Sequence, residues 1–200
     1  MEYTDIKGNV VNNGFHYYTN PSFWDDYRNK LTLLGMLSPE VTIDVIKSII
    51  DKGEKSNGYM PTFFHGDHAS TFIAGSWLRG LRDFDLQRAY NLILKNATVP
   101  GKGGRPYLDE YIKRGWIAEK DTVNVPTQDE YKGAVTKTVE YAYDDYAVAL
   151  VAKELGDKEN YDVLIKRANN YKTLFDPGTG FWRGKIEDGS WIADFDPYYP

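Results

Sequence analysis

TKTVEYAYDDY, Thr136 to Tyr146, opens a stretch that is apolar nearly all round. Val139, Tyr143, Tyr146 and Leu150 recur at spacings of four, three and four, which is the period of a helix. Glu140 and Asp144 stand four apart, so they share one face of it. Two like charges at that spacing cost roughly a few tenths of a kcal/mol in an isolated helix. On a buried helix the cost is larger unless a cation, a hydrogen bond or a polar ligand answers them. Two readings are open: Lys137 or a distant arginine neutralises the pair, or this helix lines a polar pocket.

Working outward, the chain divides into helical pairs. Pro21 and Ser22 open a helix over 22–37, SFWDDYRNKLTLLGML, with Ser22 as N-cap and Asp25 three residues on. Pro39 suits the first turn of its partner over 39–53, where Val41, Val45, Ile46, Ile49 and Ile50 form a one-sided stripe. A second pair spans 67–81 and 84–97. Its first helix is rich in small residues, and its second is capped by Asp83 or Asp85. A third spans 135–155, stopped by Gly156, and 159–175. In each pair the first helix is predicted to be covered on both sides and the second to face water. The fold class expected is therefore all-α, with three helical hairpins (22–53, 67–97 and 135–175) making about half of an (α/α)6 toroid. A short α-solenoid uses the same pairs, but no 34- or 40-residue period is present. The long segment 98–133, with a short helix at LDEYIKRG, is expected to serve a site, since unstructured connections of that length are uncommon.

Composition narrows the function. The 200 residues carry a net charge of -5 and no basic run, which argues against nucleic acid as the main partner. No apolar run approaches the ~20 residues needed to span a membrane, and no signal peptide is recognisable at MEYTDIKGNV. The absence of cysteine excludes disulfides, thiol catalysis and thiolate metal sites, and a count of three histidines argues against a histidine-rich metal centre. The 16 Tyr, 9 Phe and 5 Trp suit sugar faces and packed helices alike.

In a toroid the segments leading into the inner helices converge at one end, which gathers FWDDYR, FHGDHAS and the approach to Glu140. Trp24, Asp25 and Arg28 read either as an indole platform beside a carboxylate for vicinal sugar hydroxyls, or as a helix cap with a local ion pair. His65, Asp67 and His68 have the look of a metal half-site, but a capping Asp67 with His68 turned into the pocket fits better. Glu140 and Asp144 complete the set. Asn96-Ala97-Thr98 matches a glycosylation sequon. GKGG (Gly101 to Gly104) lacks the strand and the Lys-Ser/Thr of a phosphate loop. DPGTG (Asp176 to Gly180) and DKGEKSNG (Asp51 to Gly58) lack the acidic spacing of a calcium loop and read as turns.

GYMPTFF and GDHAS, DFDLQRAYNLILKNATVPG, TKTVEYAYDDY, RANNYKTLFDPGTGFWRG and the DGSW and FDP ending follow one another in an order that resembles glycoside hydrolase family 92, the calcium-dependent exo-α-mannosidases common in gut Bacteroidetes. The likeness runs from about residue 10 to the end. It implies an (α/α)6 catalytic domain that removes terminal α-linked mannose, of the α-1,2 type, from N-glycans or yeast mannan with inversion. An inverting enzyme needs an acid and a base about 6.5–9.5 Å apart with a water between them. Only the first half of the barrel is resembled, so the acid, the base and most calcium ligands are expected beyond Pro200, with no metal ligand assigned within this chain. By resemblance Asp25 contacts the terminal mannose. Trp24, Arg28, His68, Glu140 and Asp144 are substrate-binding candidates from position and chemistry. The implied partners are mannose-containing glycans, and the parent protein is expected in the periplasm or outside the cell. An uncovered flank near Val139, Tyr143 and Leu150 is expected to favour self-association. The alternatives are a helical module that binds glycan or protein without catalysis, and another (α/α)6 enzyme such as a polysaccharide lyase.

Overall fold

The computed structural model describes residues 2–12, 14–19, 21–62, 66–119, 132–193 and 195–198. Eight α-helices dominate these residues: α1 Phe23–Asp26, α2 Lys30–Leu37, α3 Pro39–Lys55, α4 His68–Leu78, α5 Leu86–Thr98, α6 Leu108–Arg114, α7 Ala134–Leu155 and α8 Lys158–Arg167. Two small antiparallel hairpins flank them, β1 Glu2–Thr4 with β2 Val10–Asn12, and β3 Phe175–Asp176 with β4 Phe181–Trp182.

The helical hairpins form about half of an (α/α)6 toroid, with α7 packed on α8, α4 and α5, and α2 packed on α3 and α4. Local sequence explains most boundaries. Pro39 starts α3, the Asp85 carboxylate accepts from the Arg88 N–H to cap α5, and Asp157 does the same for the Asn160 N–H at α8. Gly156 ends α7 in the left-handed conformation (φ 77°). The main core joins Ile46 and Ile49 of α3, Ile73 of α4, Ala89 and Ile93 of α5, Val148 of α7 and Leu164 of α8, all fully buried. A smaller cluster of Leu108, Tyr111, Ile117, Ala134 and Tyr141 ties the long segment to α7. Part of that segment, 120–131, lies outside the described residues.

Four expectations are corrected. The helix over 22–37 is broken: α1 stops after four residues, and α2 restarts where the Asn29 side chain accepts from the Lys30 N–H. The helix over 159–175 ends at Arg167, where Asn169 donates to the Ile165 carbonyl. Asparagine competes with backbone hydrogen bonding, and a 3-10 turn at Asn170–Leu174 leads into β3. In the first pair the burial asymmetry is reversed. Within α2 only Leu31 is buried, and Leu33, Met36 and Leu37 are exposed by 54%, 72% and 73%. DKGEKSNG is also only partly a turn, since its first five residues finish α3.

Candidate functional site

Asp144 and Asp145 are consecutive on α7 and both fully buried, and they anchor two linked networks. Asp145 accepts from Arg105 Nη1 at 2.6 Å, from Arg167 Nε at 2.8 Å and from the Tyr111 hydroxyl at 3.2 Å. Arg105 also donates through Nε to Asp67 Oδ2 at 3.1 Å. The other oxygen of Asp67 accepts from Asn96 Nδ2 at 3.0 Å, and Asn96 holds both the N–H and the carbonyl of Met60. Carboxylates this deep are tolerated only with such partners.

Asp144 faces the other way chemically. It accepts the Asp67 N–H at 2.7 Å and lies 3.1 Å from His68 Nδ1. The His68 ring stacks on Tyr27, with centroids 4.4 Å apart and planes 14° apart. Its Nε2 lies 3.6 Å from Glu140 Oε2, which is ion-pair range rather than a hydrogen bond. Glu140 Oε1 is 3.4 Å from Arg28 Nη2, and Arg28 itself sits 4.7 Å over the Tyr27 ring. Gly66 makes room for this arrangement, since a Cβ there would stand 2.3 Å from His68 Nε2.

These groups border a cleft of about 610 Å³. It is lined by Tyr27, Arg28 and Thr32 on one side, Thr71, Phe72, Gly75 and Arg79 of α4 and its end on another, and Val139, Glu140 and Tyr143 of α7 on the third. Burial opposes charge on His68, but the hydrogen bond to Asp144 and the charges of Asp144, Glu140 and Asp67 outweigh it and raise its pKa. Burial raises Glu140 against the pull of His68 and Arg28. Burial, reinforced by Asp144, pushes Asp67 up to about 7 although Arg105 and Asn96 act the other way. Tyr27 is pushed up to about 12 by burial and by the Glu140 carboxylate. The cleft thus offers a carboxylate between a guanidinium and an imidazole, beside aromatic faces. That chemistry suits paired hydroxyls on a flat apolar ring.

Of the residues singled out from sequence, Arg28 and Glu140 line the cleft, while His68 and Asp144 stand buried behind its wall. Trp24 is half-buried and Asp25 exposed on α1, and neither lines the cleft; Asp25 takes the hydroxyl of Ser22 instead. The Glu140–Asp144 face is answered by Arg28 and His68 rather than by Lys137, whose ammonium goes to the Lys132 carbonyl. Asp67 holds the N-cap position of α4, but its side chain caps nothing there because Arg105 and Asn96 claim it. His65 lies outside the described residues. Asn96 of the sequon is fully buried, and Thr98 is half-buried. GKGG wraps Tyr59, whose hydroxyl a Cβ at Gly101 would strike at 2.4 Å and whose ring a Cβ at Gly104 would strike at 2.8 Å. DPGTG is the turn between β3 and β4, with Asp176 accepting the Gly178 N–H. Sequence reading missed Tyr27, Arg105, Tyr111, Asp145 and Arg167. The one signal was a charged Arg105 set in a Gly- and Pro-rich loop, beside a doubled aspartate in a helix core.

Among the described residues no group of three or more histidine, aspartate or glutamate side chains converges on a metal position. The oxygens of Asp67, Asp144 and Asp145 are already committed to protein donors, so the residues described here do not themselves fit a calcium cage.

Comparison with known proteins gives this arrangement a class, the catalytic domain of a glycoside hydrolase. The chain belongs to glycosyl hydrolase family 92, whose catalytic-domain model matches residues 1–200. It superposes on the family GH92 α-mannosidase BT3965 of Bacteroides thetaiotaomicron with a TM-score of 0.84 and 30% identity, over 98% of this chain and 26% of that one. The family GH92 inverting mannosidase BT2199 of the same organism gives 0.81 and 27%, over 98% and 28%. An uncharacterized secreted glycosidase of Arthroderma benhamiae is 29% identical over 143 residues, which is 67% of this chain and 18% of that protein. The chain therefore spans about a quarter of the length of these solved relatives.

Proposed function

We propose that the chain forms part of a longer enzyme that removes terminal α-linked mannose from glycans with inversion, and that the cleft beside Glu140 holds part of the sugar. The observation that carries this reading is Glu140 itself, a cleft-wall carboxylate set between Arg28 and His68 next to the rings of Tyr27, Phe72 and Tyr143. Glu140 accepts hydroxyls, Arg28 donates to them, and the aromatic rings take the apolar sugar face. Asp25 is proposed as a further contact to the terminal mannose. Support comes from relatives: BT3965 has been solved with mannoimidazole bound, and BT2199 is an inverting mannosidase. The α-1,2 linkage is the preferred substrate in this reading, and the whole protein acts in the periplasm or outside the cell, in keeping with the secreted fungal relative. Calcium, which would help orient and distort the sugar, is proposed to be held by segments outside these 200 residues, together with the catalytic acid and base.

The test is hydrolysis of an aryl α-mannoside by the full-length protein, with the product anomer followed by NMR. Turnover that first releases β-mannose and falls at least about tenfold in kcat/KM for Glu140→Gln supports the proposal. Sugar binding without turnover in the full-length protein would instead mark a binding module. The 200 residues alone are expected to be inactive.

A further inference from the structure

We infer, building on the sugar-binding reading above, that Asp144, His68 and Glu140 act as one unit, in which Asp144 and Gly66 hold the His68 imidazolium so that its Nε2–H faces Glu140 and fixes that carboxylate as the hydroxyl acceptor on the cleft wall. Asp144 and His68 are here positioning residues, and Glu140 is the group that touches the ligand.

The ring has little freedom. Asp144 holds Nδ1 at 3.1 Å, Tyr27 covers a face, and Gly66 crowds the Nε2 edge so closely that no side chain fits there. Asp144 cannot swing away without also losing the Asp67 N–H at 2.7 Å. Asp67 in turn is fixed by Arg105 and Asn96. This chain of contacts leaves Nε2 fully buried and without a hydrogen-bond partner among the described residues. A buried polar nitrogen left open in an otherwise satisfied network calls for an explanation. Glu140 Oε2, 3.6 Å away, supplies one: a movement of about half an ångström turns the contact into a charge-assisted hydrogen bond of ordinary length.

The surroundings favour a charged ring. Facing it are Asp67 at the start of α4, Glu140 and Asp144 of α7, and the Tyr27 ring from the α1–α2 connection, with Arg28 on the far side of Glu140 and Tyr143 beside Tyr27. Arg28 approaches Glu140 from its other oxygen, so the carboxylate has the guanidinium at one end and the His68 ring at the other. A carboxylate fixed in this way is pre-set to accept hydroxyls without reorganising. If His68 served shape alone, a neutral amide of similar size would do as well.

The chain has only three histidines, so ring-nitrogen NMR of the full chain identifies His68 by its loss in His68→Gln. Without ligand at pH 7.5, both ring nitrogens of His68 are expected to carry protons, and Asp144→Asn is expected to lower the ring's proton affinity at least about tenfold. A neutral ring, or a titration unchanged by Asp144→Asn, overturns the inference. Binding of methyl α-mannoside, which does not titrate, is then followed against pH. Asp144→Asn is expected to weaken it about tenfold at pH 7.5 and much less at pH 6, where the ring regains its proton. A loss equal at both pH values overturns the coupling. If Asp144→Asn does not fold, His68→Gln carries the test: weaker binding at every pH is expected, and unchanged binding overturns it. A charged ring in a wild-type chain that binds no mannoside at any pH would sink the sugar reading instead.

Discussion

Arg105 and Asp145, forty residues apart in sequence, meet at 2.6 Å with both side chains fully buried. Asp67 takes a second nitrogen of the same guanidinium, so one arginine from the long segment links the start of α4 to the middle of α7. Replacing it removes a cation from two buried carboxylates at once, leaving Asp145 with Arg167 and Tyr111 and Asp67 with Asn96. Arg105→Met is expected to cost about 3–5 kcal/mol in equilibrium denaturation, the usual penalty for removing one partner of a buried pair. Arg105→Lys is expected to recover only part of it, because a single ammonium does not reproduce the planar fork. A loss below about 1 kcal/mol for the methionine variant would mean the pair carries no structural weight.

Gly66→Ala tests the cage around His68. The new methyl would fall on the ring edge, so ring or backbone must move, at a cost of about 1–3 kcal/mol. Thermal unfolding reads that cost. The His68 and Tyr27 ring resonances should shift together, because the two rings are stacked.

Asn96 answers a different question. Its amide is locked between Met60 and Asp67 with no exposure, so oligosaccharide transfer onto the folded chain is blocked. Mass spectrometry of the chain made in a eukaryotic secretory host should find Asn96 unmodified. Asn96→Ala should destabilise by about 1–3 kcal/mol, since it leaves buried backbone groups of Met60 unsatisfied.

Asp157 gives a pH dependence with a definite sign. Hydrogen bonds from the Asn160 side chain, the Tyr90 hydroxyl and the Asn160 N–H hold its carboxyl below the usual range. A depressed carboxyl contributes stability that is complete above its unfolded pKa, near 4, and fades as pH falls through the lower folded value. Unfolding curves between pH 6 and pH 2 should therefore lose part of their acid sensitivity in Asp157→Asn. An identical pH slope in the variant would show that the Asp157 bonds to α5 and α8 do not matter to folding.

The helical pairs could be read from sequence because their signals are local: the apolar stripe of α3, the cap at Asp85 and the stop at Gly156. The facing of Glu140 and Asp144 followed from helical spacing alone. What spacing could not show was which cation answers them. Arg28 and His68 reach α7 across gaps of 112 and 76 residues, and Arg105 reaches Asp145 across 40. The same long-range pull explains the missed role of Asp67, whose expected cap lost to Arg105 and Asn96. Tyr143 and Tyr146 matched the apolar period of α7, yet they stand 47% and 45% exposed. The buried face runs instead through Tyr141, Ala142, Asp145, Val148 and Ala152. A tyrosine has a polar edge that tolerates water, so it marks a helical period without fixing which face is inside.

Everything functional turns on whether the cleft beside Glu140 takes a mannoside. Titration of the isotope-labelled chain with methyl α-mannoside, read residue by residue, tests this most directly. Shifts are expected to concentrate at Tyr27, Arg28, Thr71, Glu140 and Tyr143, with quiet signals from the β1–β2 hairpin and α8, and loss of the effect in Glu140→Gln. Shifts confined to residues away from the cleft, or undiminished in Glu140→Gln, would contradict binding in the cleft.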